Sequence, residues 1–299
     1  MSSPISEKLR HKIPLIEPEA LGHDVWHILA EQHFKGVLPP TAVKHLCEKY
    51  QLTPQAFALK LLPMSTAYSH APISEYHVGA IAIGVSGHFY FGANLEFTQT
   101  HIQQTVHAEQ SAISHAWMNK ERAITDVVVN YTPCGHCRQF MNELKTAPEL
   151  KVHLPHSQNN LLHDYLPDSF GPAHLDISHY LLDEHDNQLT YPTEDPLVLS
   201  ALEAANAAHA PYSKAYHGVA IETYDKRIYQ GSYAENVAFN PSLPALQVAI
   251  NHLLLSGDSL DNIRHIVMIE KASPLSYRKM SEALLEGLLG SYSFEYILL

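Results

Sequence analysis

The sequence predicts an α/β protein in which one layered unit of helices and strands occurs twice, preceded by a helical N-terminal segment. Three observations support this fold class. Apolar residues recur at helical spacing up to about residue 53, strand and helix patterns alternate from residue 54, and several motifs return after about 139 residues. The chain has 299 residues, 45% of them apolar, which is enough to form two such domains.

Residues 1–53 form the predicted helical segment. Val25-Trp26 with Ile28-Leu29, and Val43 with Leu46-Cys47, are spaced like the apolar face of a helix. Cys47 lies on that face, so we interpret it as a small core residue. We expect the segment to pack against the rest of the protein.

Residues 54–150 contain a helix, two strands, a helix, a strand and a final helix in the predicted order. The pattern is helical over 56–62, extended over 77–83 and 89–91 with a turn at Ser86-Gly87, helical over 104–120, extended over 124–130 and helical over 134–144. This order places His107 and Cys134 near the N-termini of two helices.

A second copy of this unit is predicted at 194–299, joined by a proline-containing connector at 151–193. His70-Ala-Pro-Ile-Ser74 returns as His209-Ala-Pro-Tyr-Ser213, an offset of 139, and Gln110-Ser-Ala-Ile113 returns as Gln247-Val-Ala-Ile250, an offset of 137. In this alignment Pro244 replaces His107, Leu246 replaces Glu109, and residues 273–278 replace 132–137 without either cysteine. We therefore expect the second copy to fold like the first and to bind no zinc.

His107-Ala108-Glu109, followed by Pro133-Cys134-Gly-His-Cys137, is the motif that carries chemistry. Catalytic zinc sites use three protein ligands and leave a fourth position for water. Cys134 and Cys137 are three residues apart, so both sulfurs can face one ion from the first turn of a helix, where the helix dipole favours thiolates. With His107 as third ligand, two thiolates neutralise the ion, and Glu109 is free to transfer protons.

Two other interpretations of the motif are open at the level of the sequence. A Cys-x-x-Cys pair occurs in redox proteins, but that interpretation leaves His107 and Glu109 without a role. A closed structural zinc site requires a fourth protein ligand. His136 lies between the cysteines and would face away from their ion, whereas His101 and His115 are not excluded by spacing.

The chain resembles the two-domain, homodimeric class of cytidine deaminases. The matching stretches are 91–97 (FGANLEF), 104–113 (QTVHAEQSAI) and 130–140 (NYTPCGHCRQF), with weaker similarity at 166–172 and 238–244. The His-x-Glu and Pro-Cys-x-x-Cys pair is the signature of zinc deaminases of nucleobases. The resemblance implies α/β/α layers, one zinc per chain, and hydrolysis of cytidine and 2′-deoxycytidine to uridine and 2′-deoxyuridine plus ammonia, in pyrimidine salvage.

The same resemblance implies roles for six further residues. Asn94 and Glu96 match residues that bind the sugar 3′-hydroxyl, so the 2′-hydroxyl is expected to matter little. The Ala108 amide matches a donor to the pyrimidine 2-carbonyl, and the Thr132 carbonyl matches an acceptor for the 4-amino group. Tyr76 stands where the family usually has a phenylalanine against the ring. Phe170 matches an aromatic residue that the second subunit supplies.

Composition and charge argue against several other classes of function. The net charge is −12 and no run of Lys and Arg occurs, which argues against a nucleic-acid partner. Three cysteines suit a reducing compartment, and neither a signal peptide nor a membrane span is recognisable, so we expect a cytoplasmic protein that acts on a free nucleoside. Two alternatives remain: deamination of a base within a polymer, and a non-catalytic zinc scaffold, which would have no use for Glu109.

Overall fold

The computed structural model of the protein describes residues 4–288 and 292–299. In chain order these residues form α1 (Pro4–Arg10), α2 (Glu19–Glu31), β1 (Val37–Leu38), α3 (Pro40–Tyr50), α4 (Pro54–Ser65), β2 (Gly79–Gly84), β3 (Phe89–Ala93), α5 (Ala108–Met118), β4 (Ile124–Val129), α6 (Gly135–Met141), β5 (Lys151–Leu154), β6 (Ser157–Leu161), α7 (Leu162–Tyr165), α8 (Pro196–Asn206), β7 (His217–Thr223), β8 (Ile228–Ser232), α9 (Ala245–Leu255), β9 (Ile263–Glu270), α10 (Arg278–Gly287) and β10 (Ser293–Leu298).

The first sheet has six strands in the order β1-β3-β2-β4-β5-β6. Strand β2 is antiparallel to both β3 and β4, and β4 is parallel to β5. Every residue of β2 is buried, as expected for a strand covered on both faces. The sheet draws strands from outside 54–150, because β1 comes from the N-terminal segment and β5 and β6 come from the expected connector.

The second sheet repeats the centre of the first. Its four strands have the order β10-β9-β7-β8, with β7 antiparallel to β8 and β9, and β9 parallel to β10. Strands β8-β7-β9-β10 therefore correspond to β3-β2-β4-β5. The predicted duplication is visible in the topology itself.

Helices cover the first sheet on both faces, which confirms the α/β/α layers. One apolar cluster joins α1–α4 to the face of the sheet that carries Ile81, Phe89 and Phe91. The N-terminal segment therefore packs on this sheet, and its one short strand is a departure from the all-helical expectation. The opposite face carries Ala80 and Val127 and packs against α5 within a second cluster that extends into the second copy.

Helices α5 and α9 pack against each other at the junction of the two copies. Each lies very close to its own sheet over a glycine. A Cβ atom on Gly92 would lie 2.1 Å from the Ala112 nitrogen in α5, and one on Gly231 would lie 2.2 Å from the Ala249 nitrogen in α9. Only glycine permits this approach, which explains why both positions of the repeat carry it.

The helices of the described ranges are all too short or too polar to cross a bilayer.

Candidate metal centre and active site

The three predicted ligands lie at two helix N-termini on the same side of the first sheet. His107 immediately precedes α5, and Cys134 immediately precedes α6, which also carries Cys137 in its first turn. Both predicted helices exist, although each is shorter than its apolar pattern indicated. The N-terminal end of a helix exposes N–H groups and a partial positive charge, which favours thiolates.

The ligand atoms form a compact triangle. The sulfurs of Cys134 and Cys137 lie 3.6 Å apart, and His107 Nδ1 lies 3.4 Å from the first and 3.3 Å from the second. Zinc bound tetrahedrally, at about 2.3 Å from sulfur and about 2.0 Å from nitrogen, would separate two sulfurs by about 3.8 Å and a sulfur from a nitrogen by about 3.5 Å. The side chains thus already form one face of a zinc tetrahedron.

No fourth protein ligand completes the tetrahedron within the described ranges, where the only group of three or more clustered His, Cys, Asp and Glu ligand atoms consists of His107, Cys134 and Cys137. His136 stacks on the His107 ring, with the ring centres 5.1 Å apart. His115 is fully buried and its Nδ1 lies 2.9 Å from the Phe91 carbonyl oxygen, and His101 is exposed. The arrangement is that of a catalytic site with one open position rather than a closed structural site.

Glu109 borders the ligand triangle without belonging to it. It lies one residue into α5, is 4% exposed, and its Oε2 atom is 3.2 Å from the Cys137 sulfur. Burial raises the pKa of the Glu109 carboxyl above its ordinary value. A raised pKa makes the ionised carboxylate a stronger base, which suits a general acid–base group.

The two thiols share one negative charge when no metal neutralises them. A hydrogen bond from Cys137 lowers the pKa of Cys134 to about 3, and the same contact raises the pKa of Cys137. A metal ion bound to both sulfurs would hold both thiols in the deprotonated form.

Asn94 and Glu96 follow strand β3 and are both nearly buried. Asn94 Oδ1 accepts hydrogen bonds from Ser69 Oγ at 2.7 Å and from the Val78 N–H at 2.9 Å, and its Nδ2 donates to the Tyr76 carbonyl at 2.8 Å. An asparagine amide has two N–H donors and two acceptor positions. The described contacts therefore leave one donor for a ligand.

Glu96 holds the turn that precedes Tyr76. Its carboxylate accepts hydrogen bonds from the N–H groups of Ile73, at 2.9 Å, and Ser74, at 3.0 Å, and from the Ser74 hydroxyl. Burial opposes ionisation of Glu96, but these hydrogen bonds outweigh it and lower the pKa. One acceptor position of the carboxylate is left for a ligand.

The same contact occurs in the second copy. Glu235, at the position of Glu96, accepts hydrogen bonds from the N–H groups of Tyr212, at 2.9 Å, and Ser213, at 3.1 Å. Since the second copy lacks the metal ligands, this contact is part of the repeated fold. Glu96 thus has a structural role in addition to any role in binding.

Further predicted site residues lie in the segments before α5 and α6 and in the turn after α4. The Tyr76 and Tyr131 rings are in tilted contact with their centres 4.7 Å apart, and both side chains are about half exposed. Ala108 is the first residue of α5, so its N–H has no acceptor within the helix. The Arg138 Nε donates to the Pro133 carbonyl at 2.7 Å and thereby fixes the segment that carries Thr132.

Phe170 lies beside α6 with its ring turned outwards. Its carbonyl accepts hydrogen bonds from Gln139 at 2.9 Å and Asn142 at 3.0 Å, whereas its side chain is 47% exposed. The backbone is thus fixed to the metal-bearing helix of its own chain, while the half-exposed ring contacts only the His174 ring, at 5.4 Å between ring centres, among the described ring contacts.

The second copy fills the equivalent space with aromatic rings. Pro244 precedes α9 where His107 precedes α5, and Leu246 is buried at the place of Glu109. The His217 ring stacks on Tyr233 and on Tyr277, at 4.4 Å from each. Tyr277, rather than Leu275, precedes α10 at the place of Cys134, because the loop after β9 is longer than the loop after β4. The sequence alignment at 273–278 is corrected accordingly.

The sequence analysis missed residues that position the site through hydrogen bonds. Gln110 contacts the backbone of His107, Arg138 contacts Pro133, and Tyr131 stacks on Tyr76. For Gln110 a signal existed, because the repeat retains a glutamine, Gln247, at the same position while it loses every ligand.

Comparison with known proteins gives a consistent result. Two family models match, at residues 54–153 and 162–282, and both describe the cytidine and deoxycytidylate deaminase zinc-binding region. The cytidine deaminase of Pasteurella multocida is 75% identical over 95% of this chain and 97% of its own length, and that of Histophilus somni is 57% identical over 98% and 96%. The solved structure of the Burkholderia pseudomallei cytidine deaminase is 26% identical over 38% of this chain and 96% of its own, with a TM-score of 0.34.

Proposed function

The chain belongs to the cytidine deaminase family of zinc-dependent hydrolases, and we propose that it converts cytidine and 2′-deoxycytidine to uridine and 2′-deoxyuridine with release of ammonia. The observation that carries the proposal is the buried Glu109 carboxyl beside a His/Cys/Cys triangle to which the described residues add no fourth ligand. The reaction would serve pyrimidine salvage.

Zinc, when bound by His107, Cys134 and Cys137, supplies Lewis-acid activation of water at neutral pH. Glu109 accepts a proton from the attacking water and delivers it to N3 of the pyrimidine as the oxygen adds at C4. The same carboxylate then takes the remaining proton from the oxygen added at C4 and passes it to the amino group, so that the C4–N bond breaks, the C4 carbonyl forms and ammonia leaves. General acid–base assistance of this kind contributes about 10²–10⁴ in rate.

Backbone groups beside the ligands orient the base. The Ala108 N–H donates to the pyrimidine 2-carbonyl, and the Thr132 carbonyl accepts from the 4-amino group. Both groups adjoin metal ligands in sequence, so recognition and catalysis belong to one rigid unit, as preorganised stabilisation of the transition state requires. Tyr76 provides an aromatic face for the ring, supported by Tyr131.

The sugar is held at its 3′-hydroxyl. Asn94 offers its remaining N–H to the hydroxyl oxygen, and Glu96 accepts the hydroxyl proton. Both nucleosides carry this group, so ribose and deoxyribose are treated alike. A base within a polymer has an esterified 3′ oxygen, which cannot donate to Glu96. Together with the net charge of −12, this favours a free nucleoside over a nucleic acid.

We further propose that the enzyme is a homodimer in which Phe170 closes the site of the partner subunit. Exposed apolar side chains occur in the segments that carry or adjoin the predicted site residues: Ile73, Tyr76, Tyr131, Phe170 and Phe239. Exposed apolar patches are typical of protein interfaces, and a second subunit would cover these side chains. The cytoplasmic location and a zinc-free second copy remain predictions from the sequence.

The substitution Glu109→Gln tests the function. Its zinc content should stay at one per chain, because the three ligands are intact, while turnover of cytidine, followed by absorbance, should fall at least about 10²-fold. Glu149→Gln removes an exposed carboxylate elsewhere and should leave both quantities unchanged.

Three results would contradict the proposal. Joint loss of zinc and activity would make Glu109 a structural residue. Full turnover in Glu109→Gln would exclude it as the acid–base group. An unaltered protein that binds zinc but turns over no free nucleoside would favour the non-catalytic scaffold. If that protein also bound single-stranded nucleic acid at low salt, deamination of a base within a polymer would be favoured instead.

A further inference from the structure

Gln110 links the first metal ligand to the second copy of the fold. It lies in the first turn of α5 and is 1% exposed. Its Oε1 atom accepts a hydrogen bond from the His107 N–H at 3.2 Å, and its Nε2 donates to the carbonyl of Pro241 at 2.9 Å. Pro241 belongs to the loop before α9, so the buried amide of Gln110 joins the metal ligand His107 to the second copy of the fold.

This link belongs to a set of buried polar contacts between α5 and the second copy. Ser111 Oγ lies 2.6 Å from Asn251 Oδ1, and Asn251 Nδ2 donates to the Ser111 carbonyl at 2.9 Å. These contacts fix α5 along its length. Gln110 differs from the others because its second partner is the backbone of a metal ligand.

The repeat supplies an internal comparison. Gln247 occupies the equivalent position in α9, is equally buried, and reaches across to the first copy, where its Nε2 donates to Gln104 Oε1 at 3.1 Å. At the place of His107, however, α9 begins after Pro244, which has no N–H. Gln247 therefore makes the contact between copies but holds no ligand.

We propose that Gln110 is a positioning residue, which fixes the backbone of His107 and thereby makes the geometry of the metal centre depend on the second copy. The inference rests on the proposed function in that it requires the zinc site. A ligand projected from a frayed helix N-terminus would sample many positions, whereas the hydrogen bond to the His107 N–H fixes the backbone from which the imidazole extends. Hydrogen-bond partners that orient metal ligands typically change metal affinity or activity by about 10–100-fold when removed.

The test compares Gln110→Met with Gln247→Met in the full-length protein. Methionine preserves the approximate volume and removes the amide, so each variant loses one contact between copies. Zinc dissociation constants from competition with a chelator should rise about 10–100-fold in Gln110→Met and less than about twofold in Gln247→Met. After substitution with Co²⁺, the thiolate-to-metal absorption bands should shift in Gln110→Met alone. Its kcat should fall more than its KM changes.

The outcomes separate this inference from the proposed function. Equal zinc affinities and equal cobalt spectra for the two variants would overturn it, even if the unaltered protein binds zinc and deaminates cytidine. Failure of the unaltered protein to do either would overturn the proposed function instead. If Gln110→Met does not fold, Gln110→Asn carries the test, because a side chain one methylene shorter cannot reach both partners. If Gln110→Asn has the same zinc affinity and the same cobalt spectrum as the parent protein, the inference is also overturned. A weaker zinc affinity in this variant would support it.

Discussion

Glu96 shows at the scale of a single residue how binding and folding share one side chain. Its carboxylate holds the turn at Ile73-Ser74, and Glu235 holds the equivalent turn in the second copy. Asn94, in contrast, has become Tyr233 in the copy that has lost its ligands. The turn contact of Glu96 therefore belongs to the repeated fold, whereas the contacts of Asn94 with Ser69, Val78 and Tyr76 occur only in the first copy.

This pair permits a matched experiment. Glu96→Gln and Glu235→Gln should lower the free energy of unfolding similarly, because each weakens charged hydrogen bonds to a turn. Only Glu96→Gln should also raise KM for cytidine, by about 10–100-fold, since a hydrogen bond to a charged group is worth about 1.5–3 kcal/mol. Urea unfolding and steady-state kinetics on both variants provide the measurements. An unchanged KM in Glu96→Gln would limit that residue to its structural role.

Helix α5 is the element on which most of the site depends. Ten of its eleven residues are buried, and they include Glu109, Gln110, Ser111, Ser114 and His115. Such a helix lacks the polar outer face of an ordinary surface helix, because the sheet lies on one side and α9 on the other. Its polar side chains must therefore find partners inside the protein, and those partners fix its position.

His115 makes this element sensitive to acid. Burial lowers the pKa of His115 to about 3, and burial lowers the pKa of His217 in the second copy to about 4. Below pH about 6.5 these two histidines take up protons in the unfolded chain but not in the folded chain. Their contribution to the free energy of unfolding is therefore fully present above that pH and is lost as the pH falls towards 4. Each histidine contributes a slope of up to about 1.4 kcal/mol per pH unit in this window.

The free energy of unfolding can be measured by urea titration between pH 6.5 and 4. His115→Leu should reduce its slope against pH by up to about 1.4 kcal/mol per pH unit, the contribution of one histidine. His156→Leu, at an exposed position, serves as the control and should leave the slope unchanged. An undiminished slope in His115→Leu would mean that this imidazole takes up its proton over the same pH range in the folded and the unfolded protein.

In the part of the chain that the structure describes, the one cluster of metal-ligating side chains lies in the first copy of the fold. At the corresponding place in the second copy the His217 ring stacks on Tyr233 and Tyr277, in keeping with the prediction that this copy binds no zinc. The exposed ring of Phe170 belongs to a segment that is hydrogen-bonded to the metal-bearing helix α6. In the proposed homodimer a second subunit would cover this ring and complete two sites related by symmetry.

Complementation between two inactive variants tests this assembly. Glu109→Gln destroys the chemistry of its own site, and Phe170→Ala is expected to impair the site of the partner. Co-expression of the two chains should restore about a quarter of the parent activity per chain, because random pairing gives half mixed dimers with one intact site each. Activity no greater than the mean of the separate variants would place Phe170 in the site of its own chain.

Motif spacing and the internal repeat made much of this protein predictable. His107, Cys134 and Cys137 followed from ligand chemistry and from helix starts, both of which are local properties. The layered fold followed from periodicity, and the ligand-free second copy followed from the substitutions at Pro244 and Leu246. The helices predicted at 104–120 and 134–144 are shorter in the structure, because an apolar pattern does not show at which residue a helix makes its last hydrogen bond.

Contacts between distant segments were decided by the tertiary structure. The sequence by itself determined which residue types bind the metal and showed that the fold occurs twice, because short motifs specify both. It did not show that β1, β5 and β6 complete the first sheet, that Tyr277 takes the place of Cys134, or that Gln110 joins His107 to Pro241. Each of these depends on strand pairing, loop length or a hydrogen bond between residues far apart in the chain, and such partners are chosen only when the chain packs.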